Sequence, residues 1–497
     1  MNDSLRNLVF SLSKAEKKAI ASHFGSAPTR HSHLYNLLVS KPQLTDDELI
    51  PKFRQYKIDK RNFNVLKKHL FNILLKILRG INDKDVQTKL SNDLQNIEIL
   101  YNRGLLKDAN KLLQSAIVQA RSHDLHLIHL QLLDWERAIS ISSNFQSRTE
   151  AAIGQEEQLI FEKQQHLFRL KGINNILEQL KKEVGTQPKK AEGLINAKNI
   201  QLNEIFSETP ESEKAKYYYH LNRQLFYFID GDFEQSGKES DWLMKVDQDY
   251  LSEEEIINAY LHRTTALSFV YRFQDTLDTF AALDQTAEKL RLLRFPSTRN
   301  KIFYFRSTYM LSIYNKIKNE SEGRELCNTI LNQLENENLN QSQLNIVHYA
   351  LALTLLLVGE TKKSLRITNI LLGQPVKKIR TDIYRWTLFV NIIAHYELDH
   401  SDLLSHLTRS YIAHFTQTRA SKEQFVVETT FLSTLRKVPD VHSNASKEFK
   451  ALYAKLQELS LSDTSEMETG IKTLLDSWLE SKTEGISLLS TYQNKFY

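Results

Sequence analysis

Apolar residues recur along this chain at three- and four-residue steps with polar residues between them, and that period predicts helices nearly from end to end. The clearest case predicts a helix from about Asp59 to Arg79, with Phe63, Leu66, Leu70, Ile73 and Ile77 on one buried stripe. Ahead of it, Ser13 with Glu16 has capping-box spacing and opens a helix reaching Phe24, which Gly25-Ser26-Ala27-Pro28 ends. Leu34, Leu37 and Leu38 predict a short amphipathic piece stopped near Pro42. Thr45 and Glu48 repeat the box, with Leu44 and Leu49 placed as a hydrophobic staple, and Pro51 limits or restarts that helix. Gly80 to Gln87 reads as a junction. Farther on, Leu170, Ile173, Leu177, Leu180 and Val184 form a seam inside a long helix or helical hairpin expected from Thr149 to Val184. A dimerising coiled coil is a second use of that seam. Gly185 to Lys190 reads as a loop. Asp463 is placed to cap a last helix burying Ile471, Leu474, Leu475, Trp478 and Leu479, and the tail from Ser481 shows no pattern.

The middle of the chain is organised by a recurring corner. Leu100 to Ala109 reads as a helix end, a tight turn at Gly104 and the start of an antiparallel partner. Aligning on it gives Gly104, Gly231, Arg272, Lys318, Gly359 and Asp399, the last five separated by 41, 46, 41 and 40 residues. A near-constant period of this size is the mark of a stacked helix-pair repeat. Leu100, Gly104, Ala109, Leu113 and Ala116 then match the spacing of the tetratricopeptide pattern. Tyr227, Gly231 and Ser236 repeat part of it, as do Ala352, Leu355, Gly359 and Ser364. The chain therefore resembles a divergent tetratricopeptide-like (TPR-like) repeat protein over residues 88–459. It departs from that family in its longer period, in corners without glycine and in lacking any complete motif. The resemblance implies small residues where paired helices approach closely, and a concave groove lined by the first helix of each pair. The opening Leu12-Ser13-Lys14-Ala15-Glu16-Lys17 followed by such repeats is also similar to a group of bacterial proteins with no assigned activity, which implies no chemistry.

Charge divides the chain. Residues 1–82 hold fifteen Lys and Arg against six Asp and Glu, whereas the remainder holds 50 against 54. If the Asp59–Arg79 helix extends back to Lys57, then Lys57, Lys60, Arg61, Asn64, Lys67 and Lys68 share about 120° of its surface. A short helix, a turn and a longer basic helix outline a helix-turn-helix unit, or equally a solvated face on a capping bundle. No apolar run reaches the roughly eighteen residues of a membrane-spanning helix. Lys14, Lys17 and Lys18 follow the first apolar patch, the reverse of a secretory signal, so a cytoplasmic protein is expected.

Candidate chemistry is sparse. The single Cys327 excludes an internal disulfide framework and falls in a helical apolar pattern that makes it a core residue. No phosphate loop, dinucleotide fingerprint, paired-histidine zinc motif or nucleophile elbow occurs. His123, His126 and His129 spread over too wide an arc of a helix to grip one ion, and Glu253-Glu254-Glu255 suits a first turn. The aromatic runs Tyr217 to Tyr219, Phe226 to Phe228 and Phe303 to Phe305 cannot all face one core stripe. If the repeat register holds, the resemblance places Asn222, Arg263 and Tyr309 at groove positions that contact a peptide, with Arg223, Arg306 and Arg385 beside them. Interhelical packing with snorkelling arginines is the alternative for these residues.

The expectation is an all-α protein without cofactor or metal: an elongated right-handed superhelix of antiparallel helix pairs behind an N-terminal basic helical domain. Its segments are 1–82, 88–459 and a capping helix and tail over 460–497. The function expected is non-enzymatic binding of a protein or peptide through Asn222, Arg223, Arg263, Arg306 and Tyr309. The alternative is a transcriptional regulator that binds DNA through Lys57, Lys60, Arg61, Lys67 and Lys68 and senses a peptide with its repeats.

Overall fold

A computed structural model of the chain describes residues 2–25, 29–41, 43–81, 86–143, 148–184, 209–375, 380–417, 426–436, 445–459 and 466–496. Among these the regular structure is helical throughout, with no strand. The helices are α1 (Asn2–Ser11), α2 (Lys14–Phe24), α3 (Arg30–Ser40), α4 (Asp46–Leu49), α5 (Lys60–Ile81), α6 (Val86–Asn102), α7 (Leu106–Ser122), α8 (His126–Ser143) and α9 (Glu150–Val184). They continue as α10 (Glu213–Asp230), α11 (Phe233–Leu243), α12 (Glu253–Phe269), α13 (Phe273–Lys289), α14 (Pro296–Ile317), α15 (Glu320–Leu334) and α16 (Gln341–Leu357). The last are α17 (Thr361–Leu372), α18 (Thr381–Glu397), α19 (Ser401–Gln417), α20 (Val426–Leu435), α21 (Ala445–Leu459), α22 (Glu466–Glu484) and α23 (Leu488–Gln493). From α6 onward many pack against their neighbours in sequence, whereas α5 packs against α1, α2 and α3. None is long and apolar enough to cross a membrane.

Two compact units divide the chain. The first holds residues 1–169 with short returns at 211–215 and 294–296; the second holds 170–210, 216–293 and 297–497. The boundary falls inside α9, which is one continuous helix rather than a hairpin. Within the first unit, α1 to α5 close on an apolar cluster of their own that includes Leu5, Ile20, Leu34, Phe53, Phe63 and Leu70. The expected boundary near residue 82 lies outside the described residues.

The N-terminal helices start where side chains satisfy their first amides. Ser13 and Glu16 form the predicted capping box, and the Thr45 amide and hydroxyl both donate to Glu48 at 2.7 and 2.9 Å. Pro51 lies in a 3-10 segment, Ile50–Tyr56, which ends at Lys57 in the left-handed region, φ +53°. The strong helix therefore begins only at Lys60, with the Asp59 carboxylate accepting from the Asn62 amide at 2.8 Å. Its buried stripe runs Phe63, Leu66, Leu70, Leu74. The predicted Ile73 and Ile77 are only half-buried on its flank.

The corner that organises the middle of the chain is a Schellman turn. At Gly104, φ +73°, the Leu105 amide donates to the Leu100 carbonyl at 3.0 Å and the Gly104 amide to Tyr101 at 2.9 Å. The same pair of bonds closes the turns at Gly359 and Asp399, both with positive φ. In the corner expected at Arg272 the left-handed residue is Tyr271, one position earlier, φ +58°. Lys318 has no such turn; Asn319 instead caps α15 directly in a box with Glu322. Beyond the corners, small buried residues mark the helix crossings. Ser236 Oγ donates to the Gln224 carbonyl at 3.1 Å, and Ser364 Oγ donates to Ala352 at 2.6 Å, an equivalent contact in two hairpins.

In the second unit the largest core cluster joins α14 to α23 and contains Cys327, Leu351, Ile392, Phe431, Trp478 and Tyr492. Ile471, Leu474, Leu475, Trp478 and Leu479 of α22 are buried as predicted. The proposed Asp463 cap and the 185–190 loop lie outside the described residues. The tail after Ser481 does have a pattern: α22 runs on to Glu484, and α23 buries Leu489 and Tyr492.

Candidate functional site

The residues expected to clamp a peptide are largely occupied inside the second unit. Asn222 on α10 is fully buried, and its Nδ2 donates to the Leu170 carbonyl at 2.8 Å, so it lines no open groove. Arg223 Nε donates to Glu239 at 2.7 Å, with its guanidinium over the rings of Tyr219 and Tyr227. Arg263 pairs with Asp241 at 3.0 Å, Arg306 with Asp284, and Arg385 with Glu428. Each guanidinium is thus neutralised by an acid of another helix, and the expected basic groove is corrected to a set of interhelical clamps. Tyr309 donates to Thr265 Oγ1 at 2.9 Å and stacks on Phe305, and burial raises its phenol to about 12. The aromatic runs resolve as period demands: Tyr217, Tyr219, Phe228 and Phe303 are buried, and their neighbours are half-buried.

A cleft does open one helical position away. It encloses about 260 Å³ between the C-terminal half of α9 and helices α10, α12 and α14. From α9 come Asn174, Glu178 and Lys181; from α12 come Asn258, Leu261, His262 and Thr265; from α14 come Lys301 and Phe305; Leu221 of α10 lies among them. These sets step by four and three, by three, one and three, and by four, so each helix offers the cleft a single face. The seam of α9 explains why this face meets the cleft. Leu170, Ile173, Leu177 and Leu180 are buried within the chain itself, which turns Asn174, Glu178 and Lys181 to the cleft.

The polar groups there are paired loosely. His262 Nδ1 lies 3.1 Å from Gln224 Oε1 and its Nε2 lies 3.3 Å from Glu178 Oε1. Burial lowers the imidazole pKa against the pull of Glu178, which favours the neutral ring at pH 7. Lys301 Nζ donates to Asn258 Oδ1 at 2.5 Å and reaches Glu254 at 3.5 Å. The Asn174 amide nitrogen is buried with no hydrogen-bond partner. The cleft therefore presents amide, imidazole, hydroxyl, carboxylate and ammonium groups beside Leu221, Leu261 and Phe305. That chemistry suits hydrogen bonding to a neutral polar chain with some apolar area. Among the described residues no group of three or more metal-ligating side chains converges. His129 instead meets Glu156 at 3.1 Å, beside the guanidiniums of Arg121 and Arg148.

In the first unit, Lys57 lies before α5 rather than on it. Lys67 is turned into an ion pair with Asp46, which also takes Arg6, and Lys60 reaches Asp47 at 3.3 Å. Lys57, Arg61 and Lys68 remain exposed, as does Arg54. No protein-family model, curated protein or solved structure matches this chain.

Proposed function

We propose that this protein is a non-enzymatic scaffold that binds an extended peptide segment in the cleft between α9, α10, α12 and α14. In this reading its helix pairs continue as a tetratricopeptide-like solenoid. The observation that carries the proposal is the stripe Asn258, Leu261, His262 and Thr265, a face of α12 that is turned to an open cleft. Side-chain amides and an imidazole offer both donors and acceptors, which is what a peptide backbone needs. The orphan amide of Asn174 supplies a donor that a peptide carbonyl would satisfy. A selection of binders from a random peptide library on the full chain tests this. Enriched peptides should bind the wild-type chain and lose about tenfold in affinity to Asn258→Ala, near 1.4 kcal/mol. No enrichment, or binding indifferent to the cleft, contradicts it.

One observation favours a second reading, duplex DNA binding by the N-terminal helices. The acids there serve the fold: Glu16, Glu48 and Asp59 cap helices, while Asp46 and Asp47 pair with Arg6, Lys67 and Lys60. Arg54, Lys57, Arg61 and Lys68 have no carboxylate partner among the described residues and face solvent. Fluorescence anisotropy of the full chain on random duplex DNA should then show affinity that falls steeply with salt. Charge reversal at Arg61 and Lys68 should abolish it, and binding unaffected by that reversal contradicts this reading.

A further inference from the structure

A lysine amine in the second unit sits among aromatic rings. Lys316, in the last turn of α14, places Nζ 5.3 Å from the ring centre of Tyr271, 5.4 Å from Phe273 and 4.9 Å from Phe496. The rings support one another: Tyr271 meets Phe273 edge-on at 5.8 Å and Phe496 at 6.1 Å, and Phe496 leans on Tyr492. Two local features aim them. Tyr271 is held in the left-handed region by the corner before α13, where the Arg272 amide donates to the Leu267 carbonyl at 3.0 Å. The end of the chain is pinned by Gln493 Nε2, which donates to the Lys318 carbonyl at 2.7 Å, and by Thr491 Oγ1 on the Ser477 carbonyl at 2.9 Å.

No carboxylate and no hydrogen-bond acceptor among the described residues pairs with this amine. The charges that follow it in sequence have other partners: Lys318 pairs with Glu322 at 3.0 Å and Glu320 with Arg324 at 3.0 Å. The Tyr492 phenol, raised to about 12 by burial, is neutral at pH 7. Ring faces return part of the cost of removing an ammonium from water, but they offer nothing to its N–H groups. A lysine desolvated without a counter-ion shifts toward its uncharged form, the form that is nucleophilic. Burial here lowers the pKa from 10.5 to about 8. Tyr271 is 56% exposed, so a small reagent meets the cage at that ring.

We propose that Lys316 is an acyl-acceptor site, a desolvated amine caged by Tyr271, Phe273 and Phe496 that takes the acyl group of a small activated donor. Nζ attacks the carbonyl carbon of an acyl phosphate or acyl thioester, and the N–C bond forms. The bond from that carbon to the phosphate oxygen or the thiol sulfur breaks, and the leaving group departs with its electron pair. The surplus proton on nitrogen passes to water. The product amide is neutral, and the cage has room in its chemistry for a neutral group but none for an added anion.

The test uses the full chain with limiting acetyl phosphate in one arm and an acetyl thioester in the other, with acetylation read at each lysine by peptide mass spectrometry. At neutral pH Lys316 should react at least about tenfold faster than the exposed Lys41 and Lys52, and the faster arm names the donor class. Its rate should level off near pH 8. Phe496→Ala, which opens one wall to water, should return Lys316 to the rate of the exposed lysines. A wild-type rate at Lys316 no greater than theirs in both arms, or a rate that rises in Phe496→Ala, overturns the proposal.

Discussion

Glu136 shows how this chain handles charge residue by residue. It is 1% exposed on α8, where Arg148 donates to both of its oxygens while also reaching Glu156. Replacing one member of such a pair strands the other charge, which costs about 3 kcal/mol or more. Glu136→Ala should therefore lower the opening free energy of α7 and α8 by an amount of that order, as read by hydrogen exchange. Glu156 adds a pH dependence. Burial alone would raise its carboxyl, but hydrogen bonds from Arg148 and Arg121 outweigh burial and hold it below its ordinary 4.5. A depressed acid stabilises the fold above its unfolded pKa, and that stabilisation is lost as pH falls through the folded value. Exchange in α8 and α9 should accelerate as pH drops below about 4.5, and this extra acid lability should vanish in Glu156→Gln. None of these pairings was legible in the sequence. Arg263 could be placed on a helix from its period, but its partner Asp241 lies on the helix before, and only tertiary packing brings the two together.

Elements were far more legible, because caps and periods are local. Ser13 with Glu16 forms the box its spacing announces, Glu253 to Glu255 do open a helix, and Cys327 is the fully buried core residue its pattern indicated. The readings that moved did so for local reasons. Lys57 leaves α5 because it takes the left-handed turn that ends the 3-10 segment, and Tyr271 rather than Arg272 forms its corner. Period alone does not show which residue of a turn takes positive φ when glycine is missing. The corner account makes an opposed pair of predictions. Gly359→Ala places a side chain at φ +79° and should cost about 1 kcal/mol. Asp399→Gly relieves a non-glycine residue at φ +57° and should leave thermal stability equal or slightly higher. Equal losses from both substitutions would mean that the turns are not held by backbone conformation.

At the scale of the whole molecule, the sequence pointed to an all-helical chain of helix pairs and an uneven charge, and the described residues are all helical, with many helices packed against their neighbours in sequence. The cleft was less legible. The tetratricopeptide-like register pointed to Asn222 and Arg263, whereas the open stripe is Asn258, Leu261, His262 and Thr265, one residue around α12. A one-residue rotation moves a side chain by about 100°, enough to exchange a clamp for a cleft. The central claim is that a peptide binds at this stripe and not at the arginines. Titration of one library-selected peptide against Asn258→Ala, His262→Ala and Arg263→Ala, each checked for unchanged helicity, tests it most directly. The account predicts affinity losses of about tenfold for the first two and less than about threefold for Arg263→Ala. The reverse order, or equal affinity for all three, would contradict it.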